Sequence, residues 1–267
     1  MTKQSQVFVL GATGYIGSNL LRQAVLSNMH LQPIDLRSPS VTDISLPPNA
    51  IVIDLSMPKT FGLDSDSSEL KTFMISYLNF LSKVKAANGH IIRIGSAFDI
   101  VDFYRKDSYT FVSKKISQSL LNLEANNPRV TICYVHACYG GIASTSFIDR
   151  LIKSFKDNNN LRMTETLREY IHVEKLVNWL LSMTLDPSQL PVEIEIGAGK
   201  AYLTSDIANY VYGVSKNLVP KVPDKRIHQS MMADRKICVS RMYQSHRIEF
   251  IELADSLPDY LQKSMIN

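Results

Sequence analysis

The stretch "VFVLGATGYIGSNLL", residues 7–21, decides the reading of the fold. Four apolar residues run into Gly11, Gly14 and Gly17, and an apolar helical pattern begins directly behind them. Val7 to Leu10 read as a short buried strand. From Tyr15 onward, Ile16, Leu20, Leu21 and Ala24 fall on one helical face. Glycines between a strand and a helix let the chain turn sharply and let the backbone approach a pyrophosphate closely. The phosphates then meet the N–H groups at the helix start. Gly11, Thr13, Gly14, Tyr15, Ile16 and Gly17 are therefore expected to cradle a dinucleotide.

An acid at the end of the second strand supports this. Asp35 lies 18 residues beyond Gly17, close to the position that accepts hydrogen bonds from an adenosine ribose. Its charge would repel a 2′-phosphate, so NAD is the first expectation. Leu36 and Arg37 border the same place, and Arg37 is able to reach a 2′-phosphate, which keeps NADP open.

Working outward, short apolar runs alternate with longer helical patterns, the mark of βαβ units and a parallel sheet. Strands are expected at 7–10, 31–35, 50–57, 90–97 and within 129–141, with Pro33 weakening the second. Residues 37–48 leave little room for a full crossover helix. Helices are expected at 15–26, 67–88 (stopped by Asn88-Gly89) and 109–126. Beyond Gly141, helices are expected at 145–159, 173–185 and 204–215, with a strand at 192–199; the last forty or so residues are weakly periodic. The expected architecture is α/β, a Rossmann-type doubly wound parallel sheet with a small C-terminal substrate-binding lobe. Residues 1–141 would form the dinucleotide-binding core. Residues 142–267 would be mainly the lobe, with a returning strand and helix (about 167–185 and 192–199) completing the core.

Composition narrows the function classes. The chain is 45% hydrophobic and 20% charged, enough to bury a sizeable core. Lys plus Arg number 29 against 25 Asp plus Glu, a mild basic excess without the interleaved aromatics of a nucleic-acid surface. No apolar run approaches the roughly 20 residues that span a bilayer. The N-terminal apolar run is too short for a signal-peptide core. The cysteines, Cys133, Cys138 and Cys238, show no CxxC or metal spacing, and so odd and sparse a set suggests reduced thiols; the six histidines are scattered. A cytoplasmic protein that binds no metal, nucleic acid or membrane is expected. His136 reads as a satisfied core histidine.

At this point the sequence resembles the extended short-chain dehydrogenase/reductase family, also called the NAD-dependent epimerase/dehydratase family. "GATGYIG" (11–17) is very close to its opening motif. "IVIDLSM" (51–57) resembles the strand passing under the cofactor riboses, which implies cofactor contacts at Leu55 and Ser56. "IIRIGSA" (91–97) resembles the strand that delivers the catalytic serine, here Ser96, with Ala97 beside the substrate. "CYGG" (138–141) is similar to the family's Tyr-Gly-Pro turn, with Gly141 in place of proline. "LREYIHVEKLV" (167–177) is similar to the segment whose arginine, here Arg168, contacts a nucleotide-sugar diphosphate. "EIGAGKAYLTSDIANYV" (195–211) resembles the segment that follows in the family. The ordered series covers about the first 215 residues. The resemblance also implies a homodimer formed through the helices at 67–88 and 109–126.

The family's chemistry uses a tyrosine and a lysine four residues later, on one helical face. The lysine lowers the phenol's pKa so that it can exchange a proton with a sugar oxygen, and the serine polarises that oxygen. Here the helix reads "YTFVSKK" (109–115), with Lys114 and, four residues before it, Thr110. Tyr109 is one step early, about 140° round the helix from Lys114 at 100° per residue. An aliphatic hydroxyl is far more basic than a phenol, so Thr110 cannot substitute. Three alternatives stand: Tyr109 swings in from the helix start, Tyr104 supplies the phenol, or the site has no acid/base and only binds. The catalytic set carried over is Ser96, Tyr109 and Lys114, with Lys114 also on the cofactor.

The residues after Ser96 narrow the reaction. Ala97 and Phe98 stand where family dehydratases carry an Asp-Glu pair. Phe98, Ile142 and Ala143 stand where members that epimerise next to the ketone carry a cysteine and a histidine. The resemblance thus implies reduction of a nucleoside-diphosphate 4-keto-deoxysugar for surface polysaccharide, as in compact reductases such as the cytidine-diphosphate dideoxyhexose synthases. A 4-epimerase or a non-catalytic NAD(P)-binding sensor or assembly protein are the alternatives. Arg226, Arg235 and Arg241 are further candidates for a diphosphate contact.

Overall fold

Val7–Leu10 (β1) and Ile51–Asp54 (β3) are buried at every residue, as continuous apolar runs are when both faces of a parallel strand are covered. The computed structural model describes residues 6–38, 43–57, 68–97, 113, 116–122, 129–142, 146–157, 165–198, 200–215, 226–227 and 253–266. The chain divides into two units, Met1–Tyr134 with Val177–Ile194, and Val135–Leu176 with Glu195–Asn267.

In the first unit β1 leads into α1 (Tyr15–Leu26), β2 (Leu31–Ile34), β3, α2 (Ser68–Ala86) and β4 (His90–Ser96). A helical stretch, α3, covers 116–122 and is followed by β5 (Arg129–Val135). With β8 (Glu193–Ile196) these strands make a six-stranded sheet in the order β2-β1-β3-β4-β5-β8. The pairs β1/β2, β1/β3 and β3/β4 are parallel. Ile132 N donates to Val192 O and, four residues on along both strands, His136 N donates to Ile196 O, so β8 runs parallel to β5, and the fold is the Rossmann-type α/β sheet expected from the alternation.

Pro33 is accommodated because β2 is the edge strand, where a missing N–H costs no ladder bond on the outer side. The buried face of α2 is Tyr77, Phe80, Leu81 and Val84, spaced as one helical stripe. The helix ends where Asn88 takes a φ of 49° and Gly89 N donates back to Val84 O at 2.9 Å. On α3, Ile116, Ser117 and Leu120 are buried at helical spacing, and Ser113 ahead of it is buried too.

The sheet order places the site. From β1 the chain goes to β2 on one side and then to β3 on the other, so the order reverses between β1 and β3. Ligands of open α/β sheets bind outside the carboxyl ends of the strands at such a switch point. Here those ends are Leu10-Gly11 and Asp54-Leu55.

The second unit holds β6 (Ala137–Tyr139), α4 (Phe147–Lys156), β7 (Leu167–His172), β9 (Lys200–Leu203), α6 (Thr204–Ser215), β10 (Arg226–Ile227) and α7 (Leu253–Ile266). Helix α5 spans Val173–Met183. The second sheet runs β10-β9-β7-β6, with β9 antiparallel to both neighbours and β6 parallel to β7. Its core gathers Tyr139, Ile148, Leu151, Tyr170, Tyr202, Ile207, Leu257 and Leu261. Two features differ from expectation. The run 129–141 is two strands broken at His136, because β5 pairs in the first sheet and β6 in the second. The weakly periodic tail contains α7, whose pattern Pro258 interrupts; buried Leu257 and Leu261 and a Tyr260 hydroxyl that donates to Asp149 anchor it.

Candidate functional site

The glycine turn caps the carboxyl end of β1. Gly11 takes a φ of +71°, and a Cβ there would lie 2.5 Å from Leu55 O and 2.9 Å from Ser56 N. The turn therefore rests directly on the chain leaving β3. A Cβ at Gly17 would overlap the Gly11 carbonyl oxygen and lie 2.7 Å from Ala12 Cα, so this glycine lets α1 pack against its own entry turn. Gly14 is different. It is exposed, and a Cβ there would meet only Gly11 O, at 3.3 Å.

Gly14 is also the N-cap of α1, and it provides no side-chain hydrogen bond to the helix start; the first turn carries no acidic residue. An α-helix start has N–H groups beyond its own ladder and a partial positive charge. A pyrophosphate fits here on two grounds, the open approach over Gly14 and the uncapped helix start. Tyr15 and Ile16 are half-buried behind Gly14, and Thr13 is exposed on the turn.

Asp35 follows β2 as expected, and its carboxylate is engaged. Arg37 Nε donates to Oδ1 and Nη2 to Oδ2, each at 2.9 Å, and Arg37 N also donates to Oδ1 at 3.0 Å. Both side chains are more than half exposed, so this clip stands in solvent. Leu36 beside it is buried.

Beneath the turn lies a charged network that reading by motif did not reveal. Asp54 and Arg93 face each other in the β3/β4 register, with side chains fully buried and 3.1 Å apart. Arg93 Nη1 donates to Ser56 O at 2.6 Å, and Nη2 approaches Met57 Sδ at 3.2 Å. Asp54 accepts from Tyr77 Oη at 2.6 Å, from Ser56 Oγ at 2.6 Å and from Ser56 N at 2.9 Å. Burial, and next the charge of Asp54, push the Tyr77 phenol well above its usual pKa, so it stays a donor. Ser56 thus turns its hydroxyl inward. The available signal was one charge inside each of two apolar strands, "IVID" and "HIIRIGS".

Ser96 ends β4, half-buried, and Ala97 behind it is buried. Tyr104, Tyr109, Thr110 and Lys114 lie outside the described residues, as do Arg235 and Arg241. In the second unit Arg168 sits on β7, opposite Tyr202 of β9, half-buried, with Nε donating to Thr166 Oγ1 at 3.0 Å. Arg226 lies in β10, opposite Ala201.

Also in the second unit, His136 Nε2 lies 2.8 Å from Glu195 Oε1 and 4.0 Å from Glu169 Oε1, with all three side chains nearly fully buried. His136 is thus a partnered interior histidine. His172 covers Gly140 and meets Tyr139 edge-on at 5.1 Å between ring centres. Burial lowers its pKa. Among the described residues no group of histidines, cysteines and carboxylates could hold a metal ion, and no helix is long and apolar enough to cross a membrane.

No protein-family model and no curated protein matches the sequence. Solved structures do match. TunA, an NAD-dependent NDP-hexosamine 5,6-dehydratase of tunicamycin biosynthesis, aligns over 96% of this chain and 96% of its own, with a TM-score of 0.71 at 14% identity. The UDP-glucose 4-epimerase of Thermus thermophilus, in complex with NAD, aligns over 97% of this chain and 98% of its own (TM-score 0.69, 11% identity). The chain has the fold of NAD-dependent nucleotide-sugar enzymes. A dTDP-4-dehydrorhamnose reductase from Clostridium acetobutylicum extends the set to a reductase, covering 97% of this chain and 99% of its own (TM-score 0.66, 14% identity). Dehydratase, epimerase and reductase therefore share this scaffold, and the reaction is decided by residues placed on it.

Proposed function

We propose that the chain is an NAD(P)-dependent nucleotide-sugar oxidoreductase that reduces a nucleoside-diphosphate 4-keto-deoxysugar in the cytoplasm, for surface-polysaccharide synthesis. The observation that carries the reading is the start of α1: an uncapped helix N-terminus behind an open Gly14, at the switch point of the sheet. The near-complete alignment with nucleotide-sugar enzymes supports the substrate class.

In this reading Gly11, Thr13, Gly14, Tyr15, Ile16 and Gly17 hold the pyrophosphate, Asp35 with Leu36 and Arg37 the adenosine ribose, and the 55–56 backbone the floor. A bound nicotinamide supplies the hydride. Tyr109 gives a proton to the sugar carbonyl oxygen, Ser96 hydrogen-bonds that oxygen beside Ala97, and the Lys114 ammonium holds the phenol's pKa down and steadies the cofactor. Arg168 pairs with the substrate diphosphate, which suits its planar, permanently charged fork. Two copies pair through α2 and the helix expected at 109–126; α2 exposes Ile75 at 61% and Leu78 at 46%, three residues apart.

One observation favours a second reading. Tyr109 stands five residues before Lys114 rather than four, which suits a dinucleotide-binding protein without turnover. The test is to mix the chain with NADH or NADPH and a panel of nucleoside-diphosphate 4-keto-deoxysugars and follow cofactor oxidation. Oxidation that stops in Tyr109→Phe supports the reductase with its named acid. Dinucleotide binding with no oxidation on any substrate selects the second reading.

A further inference from the structure

Arg93 and Asp54 bury two full charges where an apolar pair would fit the strand pattern on either side. Taking both charges out of water is costly, and replacing such a pair by apolar residues of similar volume is often neutral or stabilising. The pair is therefore weak evidence of a stability device. Its contacts point elsewhere. Each member holds the same short stretch of main chain: Arg93 binds Ser56 O at 2.6 Å and reaches Met57 Sδ at 3.2 Å, and Asp54 accepts from Ser56 N and Oγ at 2.9 and 2.6 Å. Tyr77 of α2 fixes the other oxygen of Asp54 at 2.6 Å. That stretch is the surface on which Gly11 rests, close enough that a Cβ at Gly11 would be 2.5 Å from Leu55 O.

We infer that Arg93 and Asp54 are positioning residues for the dinucleotide: they lock the Leu55–Met57 backbone as a rigid floor under the glycine turn. The inference rests on the proposed dinucleotide site and adds the device that fixes its shape. A guanidinium is suited to this use because its planar fork grips a carboxylate and a carbonyl in fixed directions, which a lysine ammonium cannot do. The network acts through the backbone and touches no ligand itself.

The test uses the full chain and three variants: Arg93→Lys, Tyr77→Phe, and the apolar double variant Asp54→Leu with Arg93→Met. Unfolding midpoints are measured beside NADH and NADPH dissociation constants by calorimetry, well below each midpoint. A purely structural role changes how much protein is folded and leaves the affinity of the folded protein unchanged. The positioning role predicts that the folded double variant keeps a cooperative transition yet binds roughly tenfold or more weakly, the equivalent of one charged hydrogen bond lost at the floor. Arg93→Lys is expected to weaken binding in the same direction, and Tyr77→Phe by less. If the double variant does not fold, Arg93→Lys decides. Wild-type affinity in the folded variants overturns the inference while leaving the dinucleotide site standing. A wild-type chain that binds neither dinucleotide overturns the parent reading, and this one with it.

Discussion

His90 opens β4 with its ring buried and Nε2 3.0 Å from Thr131 Oγ1. Burial, and next the charge of Arg129, lower its pKa from 6.5 to about 4. The folded chain thus resists a proton that the unfolded chain accepts. This site leaves stability intact above the unfolded pKa and lowers it as the pH falls from there towards about 4, by a total on the order of 3 kcal/mol. In His90→Asn, urea midpoints measured near neutrality and near the lower pKa are expected to differ by less than in the wild type; an equal difference would place the acid sensitivity elsewhere. The glycines separate by the same scale of argument. Gly17→Ala is expected to cost about 3 kcal/mol, because its Cβ meets fixed backbone. Gly14→Ala is expected to cost less, about 1 kcal/mol, because alanine is a poorer N-cap and its Cβ meets only Gly11 O, and to bind dinucleotide more weakly. At this scale the three glycines were legible because each turn position imposes a local steric demand. The Asp35–Arg37 clip was not, since spacing brings two charges near each other without saying that they bond.

Elements depend on partners far along the chain. Asp54 and Arg93 belong to adjacent strands, so removing one partner leaves a buried charge behind. Arg93→Leu alone is expected to cost about 3–5 kcal/mol of unfolding free energy, much more than the double apolar variant. Chemical denaturation of both checks it, and equal losses would contradict it. Helix α6 shows the limit of local reading. Its start at Thr204 is held by Glu165 from outside the segment: the carboxylate accepts from Ser205 N at 3.2 Å and Ser205 Oγ at 2.8 Å. No local rule reaches back 40 residues. Glu165→Ala is expected to lower stability by about 1 kcal/mol. The strands and the first helices were legible because apolar periodicity is local. The break at His136 and helix α7 were not, since sheet pairing divided one apolar run and Pro258 masked a helix that Leu257 and Leu261 hold by packing.

At the scale of the whole chain, the ordered strands lead to a switch point, and that follows from connection rules once the strands are placed. What the sequence left open at this scale is chemistry, because a shared scaffold carries dehydratase, epimerase and reductase alike. The proposed pairing of two copies predicts that Ile75→Lys with Leu78→Lys shifts the mass seen by light scattering from dimer to monomer; an unchanged mass would take α2 out of that pairing. Whether the glycine turn holds a dinucleotide, as proposed, is measured by calorimetric titration of the intact chain with NADH and NADPH. One saturable site per chain is expected, weakened in Gly14→Ala. A ligand stabilisation of about 2.7 kcal/mol is expected at a hundredfold excess over the dissociation constant. No saturable binding of either dinucleotide to a chain that still unfolds cooperatively would contradict it.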